Sequence, residues 1–269
     1  MSFAAAPVRY SPDSACRHQS INDAQWILIE PFFPTPAATG RPPLWPIRRI
    51  FEAVLHLLRS GCQWRLIPSD FPPRSTIYRH FARWRDSGLF ERINHALVVA
   101  DRERVGREAS PTAAVIDSQS VKTTETGGTK GYDGGKKING SKRHILVDTD
   151  GRLLLVGVSP ADWHDGRAGA VLLKASRRAW PFVERLFADR GYAGQRMATA
   201  TPIAVTVVTG PKNQKGFIVQ KRRWVVERTF GWIGRCRRLT RDYERFAETA
   251  VAFITLAAVM ILVRRLARS

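Results

Sequence analysis

The sequence predicts a two-part α/β molecule: a small all-α unit of helix-turn-helix size over residues 21–106, then a mixed α/β layer structure over residues 110–266. Three observations predict it. Apolar residues recur at spacings of three and four between residues 46 and 102, short β-rich runs begin after Pro111, and from there helix and strand signals alternate. At 269 residues and 44% apolar content the chain can bury a real core, which excludes disorder as its dominant state.

Each element has a local reason. Residues 1–20 mix small residues, Pro and charge without periodicity and read as a loose leader. Asn22 or Asp23 can cap a short helix carrying Trp26, Ile27 and Ile29, which Pro31, Pro34 and Pro36 stop. Ile47, Ile50, Phe51, Val54, Leu55 and Leu58 line one face of a helix over residues 46–59, with Arg48, Arg49, Glu52 and Arg59 largely elsewhere, and Gly61 ends it. Ser75 and Thr76 can cap the next helix, which buries Ile77, Phe81 and Trp84 and leaves Arg74, Arg79, Arg83 and Arg85 for solvent or phosphate. A third helix covers residues 89–102. Strands follow at residues 113–117, 144–147, 153–158, 183–188 and 203–208. Helices are expected at residues 166–180, 192–199 and, at greater length, 220–238.

Charge narrows the partner. The chain holds 43 Lys and Arg against 23 Asp and Glu, leaving +20 and a pI near 11.0. Such a field repels itself unless an anion screens it, so nucleic acid is the first candidate. Cys16, Cys62 and Cys236 are odd in number and far apart, which argues against a disulfide framework or zinc knuckle and fits a reducing compartment. No secretory pattern opens the sequence, and the apolar stretch 249–263 is shorter than the roughly 20 residues a bilayer needs, so it reads as a buried terminal helix.

Against this basic background three acids stand out. Asp117 ends the apolar run 113–116, and Asp189 ends the run 186–188 before Arg190 and Gly191 turn the chain. Two carboxylates at strand C-termini lie where α/β sheets place ligands, although a turn cap explains Asp117 and a helix cap or an Arg190 pair explains Asp189 about as simply. Glu227 is the single acid among ten Lys or Arg between positions 212 and 241; it is either a third ligand or an ion-pair partner of Arg223 or Arg228. Gly231, one turn on, is costly inside a helix and suggests close approach of another surface. Three oxygen ligands suit Mg²⁺ or Mn²⁺, and two such ions can activate a hydroxyl and stabilise the leaving oxygen of a phosphodiester. Asp148 and Asp150 flank an Asp-Gly hairpin turn, and the cluster Asp162, His164 and Asp165 reads as a cap on the next helix; both stay outside the catalytic set.

The segments Val115-Ile116-Asp117-Ser118-Gln119-Ser120-Val121-Lys122, Phe187-Ala188-Asp189-Arg190-Gly191-Tyr192 and Arg222-Arg223-Trp224-Val225-Val226-Glu227-Arg228-Thr229-Phe230 resemble, in order, the acid-bearing motifs of DDE transposases of bacterial insertion sequences, the group named after insertion sequence 5. Gly40-Arg41-Pro42-Pro43 and Arg59-Ser60-Gly61-Cys62-Gln63-Trp64-Arg65 are similar to that family's helical front. The resemblance implies a ribonuclease-H-like core with a mixed five-stranded sheet and flanking helices, Asp117, Asp189 and Glu227 as catalytic and metal-binding residues, and two Mg²⁺ ions for which Mn²⁺ can substitute. It further implies cleavage at terminal inverted repeats, joining of 3′-hydroxyl ends to target double-stranded DNA, and a homo-oligomer on DNA in the bacterial cytoplasm and nucleoid, with neither membrane nor small-molecule substrate. A related group's signature Tyr-x2-Arg-x3-Glu-x6-Lys is met by Arg223 and Glu227, while Gln220 and Gly234 replace its Tyr and Lys. The interval from Asp189 to Glu227 (227 − 189 = 38) is shorter than that group leads one to expect, so an inactive DNA-binding remnant is an alternative, as is a nuclease of the same fold.

The basic candidates for DNA contact are Arg79 and Arg83 on the second front helix, Lys122, Lys136, Lys137, Lys142 and Arg143 in a Gly-rich strap after Asp117, and Arg223, Arg228 and Arg235 around Glu227.

Overall fold

The computed structural model describes residues 21–35, 43–125, 128–208 and 224–268; the leader 1–20, Gln220 and Arg223 lie outside them. The front part holds α1 (Asp23–Ile27), α2 (Ile47–Ser60), α3 (Arg74–Asp86) and α4 (Leu89–Arg104). Asn22 caps α1 in a reciprocal capping box with Gln25. Gly61 ends α2 in the left-handed region, its amide donating to Leu57 O. At α3 the expected hydroxyl cap is not used: the helix begins at Arg74, one residue earlier, behind Pro73. Proline pre-sets the entry angle, so Ser75 and Thr76 already lie inside. Trp26, Phe33, Phe51 and Trp84 form a ring cluster at the centre of the unit. Arg49 and Glu52, expected off the core face, are buried there as a pair that Asp70 extends.

The sheet contains β1 (Ala113–Lys122), β2 (Gly131–Asp133), β3 (Ile138–Asp148), β4 (Leu153–Pro160), β5 (Arg185–Ala188) and β6 (Ala204–Val207). Its main order is β4-β3-β1-β5-β6, with β2 as a short sixth strand beside β3. β1, β3 and β4 are antiparallel neighbours, and β1, β5 and β6 run parallel. This is a curled ribonuclease-H-like sheet preceded by a helical domain. The Gly-rich stretch expected as a loose strap is largely a β-ribbon, because β1 and β3 stay in register out to Lys122↔Gly140 and satisfy each other's backbone groups.

Strand alternation assigns the faces. Ser118 and His144 point to the side holding α5 (Asp165–Ala179) and α6 (Gln195–Ala198), where Ser118 meets Asp165 and His144 meets Tyr192. Arg143 points the other way, toward the chain between α7 (Trp224–Ile233) and α8 (Ala247–Leu266), and donates to Leu239 O and Arg241 O. The helix expected over residues 220–238 ends at Ile233; Gly234 breaks it and a 3-10 turn follows at Arg237–Leu239.

α8 has the length and apolarity to cross a membrane, but 72% of its apolar window is buried within the protein, as expected of a core helix. It packs on both α4 and β4, stacking Phe253 on Phe81 with ring centroids 4.7 Å apart. Asn94 Nδ2 donates to Leu153 O, and Arg85 to Thr249 Oγ1. Front helices and sheet therefore share one continuous core. Between them lies an ionic knot: Arg152 joins Asp101 at 2.7 Å and Asp148 at 2.9 Å, and Arg102 joins Asp148 at 2.7 Å, with both aspartates fully buried.

Candidate active site

The parallel ladder between β1 and β5 pairs Ala113 with Arg185, Ala114 with Leu186 and Val115 with Phe187. Extended by two residues, the same offset brings Asp117, midway along β1, level with Asp189, the residue that follows β5. Each half-buried carboxylate is anchored by a nearby backbone amide. Asp117 Oδ1 accepts from Ser118 N at 2.7 Å, and Asp189 Oδ1 accepts from Gly191 N at 2.9 Å, capping the 3-10 turn Arg190–Tyr192. The cap weighed for Asp189 is thus real, and it also fixes the carboxylate's direction.

Behind the pair sits a dry polar wedge. The fully buried Tyr192 hydroxyl lies 3.1 Å from His144 Nδ1, and His144 Nε2 lies 3.1 Å from Ser159 Oγ. Burial pushes His144 down to about 4, so its ring is neutral near pH 7. Burial, then the negative fields of Asp165 and Asp117, push the Tyr192 phenol well above its ordinary range.

Asp165, expected only near a helix cap, belongs to this surround. His164 does cap α5, its Nδ1 accepting from Gly166 N. Asp165 accepts from Ser118 Oγ at 3.0 Å and pairs with Lys142 Nζ at 3.1 Å. A Cβ on Gly191 would stand 2.8 Å from Asp165 Oδ2 and 3.1 Å from Asp189 Oδ1, so the missing side chain lets these two acids face one gap. The sheet pairing explains it: β4 runs antiparallel to β3 and delivers the start of α5 to the end of the sheet where β1 terminates.

Glu227 is placed differently. It is exposed on α7, and the residues after it reach the β3–β4 turn: Arg228 Nη2 donates to Asp150 O at 2.6 Å and Thr229 Oγ1 to Gly151 O at 2.9 Å. That turn lies by the opposite end of β1, where Ala114 pairs with Asp148. Among the described residues no three His, Cys, Asp or Glu side chains stand close enough to hold a metal ion. Asp117 and Asp189 follow the last paired residues of the β1–β5 ladder by two positions each, and Glu227 forms no such group with them among the described residues. Among the described residues nothing of the chain itself approaches Gly231, where a Cβ would find nothing within 4 Å. The tight contact is at Gly151, at φ +84°, where a Cβ would stand 2.8 Å from Thr229 Oγ1.

Of the basic candidates, Arg79, Arg83, Lys122, Lys136, Lys137 and Arg235 are exposed. Lys142 and Arg143 are buried and committed: Lys142 Nζ donates to Trp163 O and pairs with Asp165, and Arg143 holds the two carbonyls named above. Neighbours on a strand covered on both faces have no route to phosphate, which corrects the expectation for both. Arg228 is half-buried against the Trp224 and Trp232 rings, 4.3 and 4.5 Å from their centroids. Arg85, expected to be available, is engaged by Asp86 and Thr249.

Comparison with known families agrees with this architecture. Residues 108–262 match the family described as "Transposase DDE domain", and residues 21–94 match "Putative transposase of IS4/5 family". The first match covers more than half of the chain, which belongs to the DDE-type insertion-sequence transposases. Over 131 residues it is 32% identical to "Putative transposase for insertion sequence element IS402" of Burkholderia cepacia, an alignment covering 45% of this chain and 62% of that relative. Over 102 residues it is 28% identical to "Uncharacterized protein y4sN" of Sinorhizobium fredii, covering 38% of this chain and 75% of the relative. No solved structure matches.

Proposed function

We propose that this chain is a Mg²⁺-dependent DNA transposase that cleaves its element's terminal inverted repeats and joins the 3′-hydroxyl ends to target DNA, working in the cytoplasm at the nucleoid as a homo-oligomer. The observation that supports the reading is the parallel β1–β5 register, whose last pair, Val115 and Phe187, precedes Asp117 and Asp189 by two residues each. Their oxygen donors fit a hard divalent cation, and Asp117, Asp189 and Glu227 are the proposed ligands. When bound, two such ions supply an activated hydroxyl and a stabilised leaving oxygen. The chain's own residues do the rest. Ser118 N and Gly191 N aim the two carboxylates, the neutral His144–Tyr192 wedge excludes water behind them, and Lys122, Lys136 and Lys137 offer exposed charge to DNA on the ribbon that continues β1. Glu227 as third ligand requires a shift of α7 or its side chain toward Asp117.

The separation of Glu227 from the two aspartates favours a second reading, a DNA-binding remnant without catalysis. A Mg²⁺-dependent joining assay on the element's own ends separates them. Wild type is expected to join; Asp117→Asn, Asp189→Asn and Glu227→Gln are expected to lose joining while retaining DNA binding. Cleavage without joining would identify a nuclease, and binding without cleavage the remnant.

A further inference from the structure

A cavity of about 540 Å³ opens where the end of α2, the end of α7 and one face of α8 meet. Leu58, Ala257, Met260 and Ile261 contribute its apolar floor, and Arg59, Arg235, Arg264, Arg265 and Arg268 are its charges. No carboxylate lines it among the described residues. Positions 257, 260, 261, 264 and 265 recur at helical spacing, so one face of α8 delivers two guanidinium groups, Arg268 follows in the turn just past the helix, and Arg59 and Arg235 converge on them from separate elements.

Two of the five have structural duties. Arg265 reaches Asp101 at 3.4 Å and lies 5.1 Å from the Trp232 ring centroid, and Arg59 is largely enclosed. Burial and the facing charge of Arg264 push the Arg59 guanidinium below its ordinary range, so these cations feel one another. Arg235, Arg264 and Arg268 are exposed, with no carboxylate partner among the described residues. A helix C-terminus favours cations by some tenths of a kcal/mol, which accounts for Arg264 and Arg268 alone but not for the convergence of Arg59 and Arg235. Gathering Arg235, Arg264 and Arg268 beside the other two guanidinium groups in one concavity is unfavourable until closely spaced anionic oxygens enter it, and the cavity's size is within the range of ligand sites.

The geometry points to this cavity as a docking site for the phosphodiester backbone of DNA, separate from the Asp117–Asp189 pair, with Arg235, Arg264 and Arg268 as the contacting cations. The inference rests on the transposase reading only for DNA as the source of phosphate.

The test uses the full chain and compares Arg264→Gln/Arg268→Gln with Arg79→Gln/Arg83→Gln on α3. Fluorescence anisotropy with a labelled duplex is recorded over a salt series, and thermal unfolding is recorded with and without inorganic tripolyphosphate. Loss of two phosphate contacts is expected to lower the slope of log K against log salt by about 2. Tripolyphosphate is expected to stabilise wild type and not the α8 variant. The variant Arg264→Lys/Arg268→Lys, which keeps the charge, is expected to retain most of the slope and controls for folding. Duplex binding by wild type with an unchanged slope in the α8 variant overturns the cavity and leaves the transposase reading standing. Stabilisation by tripolyphosphate in a protein that binds no duplex overturns DNA as the ligand and, with it, the reading beneath.

Discussion

Two groups of carboxylates flank β1, and their partners differ. At its start, Asp101 and Asp148 are fully buried and matched by Arg102, Arg104, Arg152 and Arg265. Past the end of its ladder with β5, Asp117 and Asp189 are half-buried, each accepting from a backbone amide, with Asp165 and Lys142 nearby. Guanidinium groups neutralise the first group completely and tie the front helices to the sheet. In the second, backbone amides of Ser118 and Gly191 orient one oxygen of each carboxylate. Acids of one type thus serve cohesion in the first group, while the second is the one proposed for chemistry.

The largest effect on stability is expected at the first group. Arg152→Ala removes the guanidinium shared by two buried carboxylates, leaving Asp148 with Arg102 and Asp101 with Arg104 and Arg265, and is expected to cost about 3 kcal/mol in chemical denaturation, against less than about 1 kcal/mol for Asp117→Asn. Equal losses for the two would erase the contrast. Next comes pH. With His144 held to about 4 in the folded state and near 6.5 when unfolded, only the unfolded chain takes up its proton between those values. Stability from this residue is therefore complete above pH 6.5 and declines as pH falls toward 4. His144→Gln is expected to remove of order 2–3 kcal/mol of that decline, read by thermal unfolding across the window.

Smaller effects come from α7. Gly151→Ala forces a left-handed backbone and a contact with Thr229, for an expected loss of about 1–3 kcal/mol. Gly231→Ala meets open space in a helix and is expected to gain about 0.5–1 kcal/mol in the same denaturation experiment. Destabilisation by Gly231→Ala would mean that another surface does approach α7 there.

Residues with strong local constraints were legible in the sequence. The periodic face of α2, the stop at Gly61, the apolar strand leading to Asp117 and the turn after Asp189 all express short-range chemistry. What was not legible depended on pairing at a distance. Gly-rich residues 128–140 look like a loop until the β1–β3 register is known, and Lys142 and Arg143 look available until both sheet faces are covered. Asp165 looked like cap material because its partners, Ser118 and Lys142, come from other strands. Gly231 drew attention by its helix penalty, while the crowded glycine was Gly151, whose neighbours are about 75 residues away in sequence.

The placement of α8 constrains how a nascent molecule matures. Phe81 needs Phe253 as its stacking partner, Arg85 needs Thr249, and Asp101 needs Arg265. During translation the front helices can collapse early, yet their seam stays open to solvent until residues 247–266 clear the ribosome. A chain still being synthesised therefore carries an unfinished front half, and completion of its fold follows the emergence of α8.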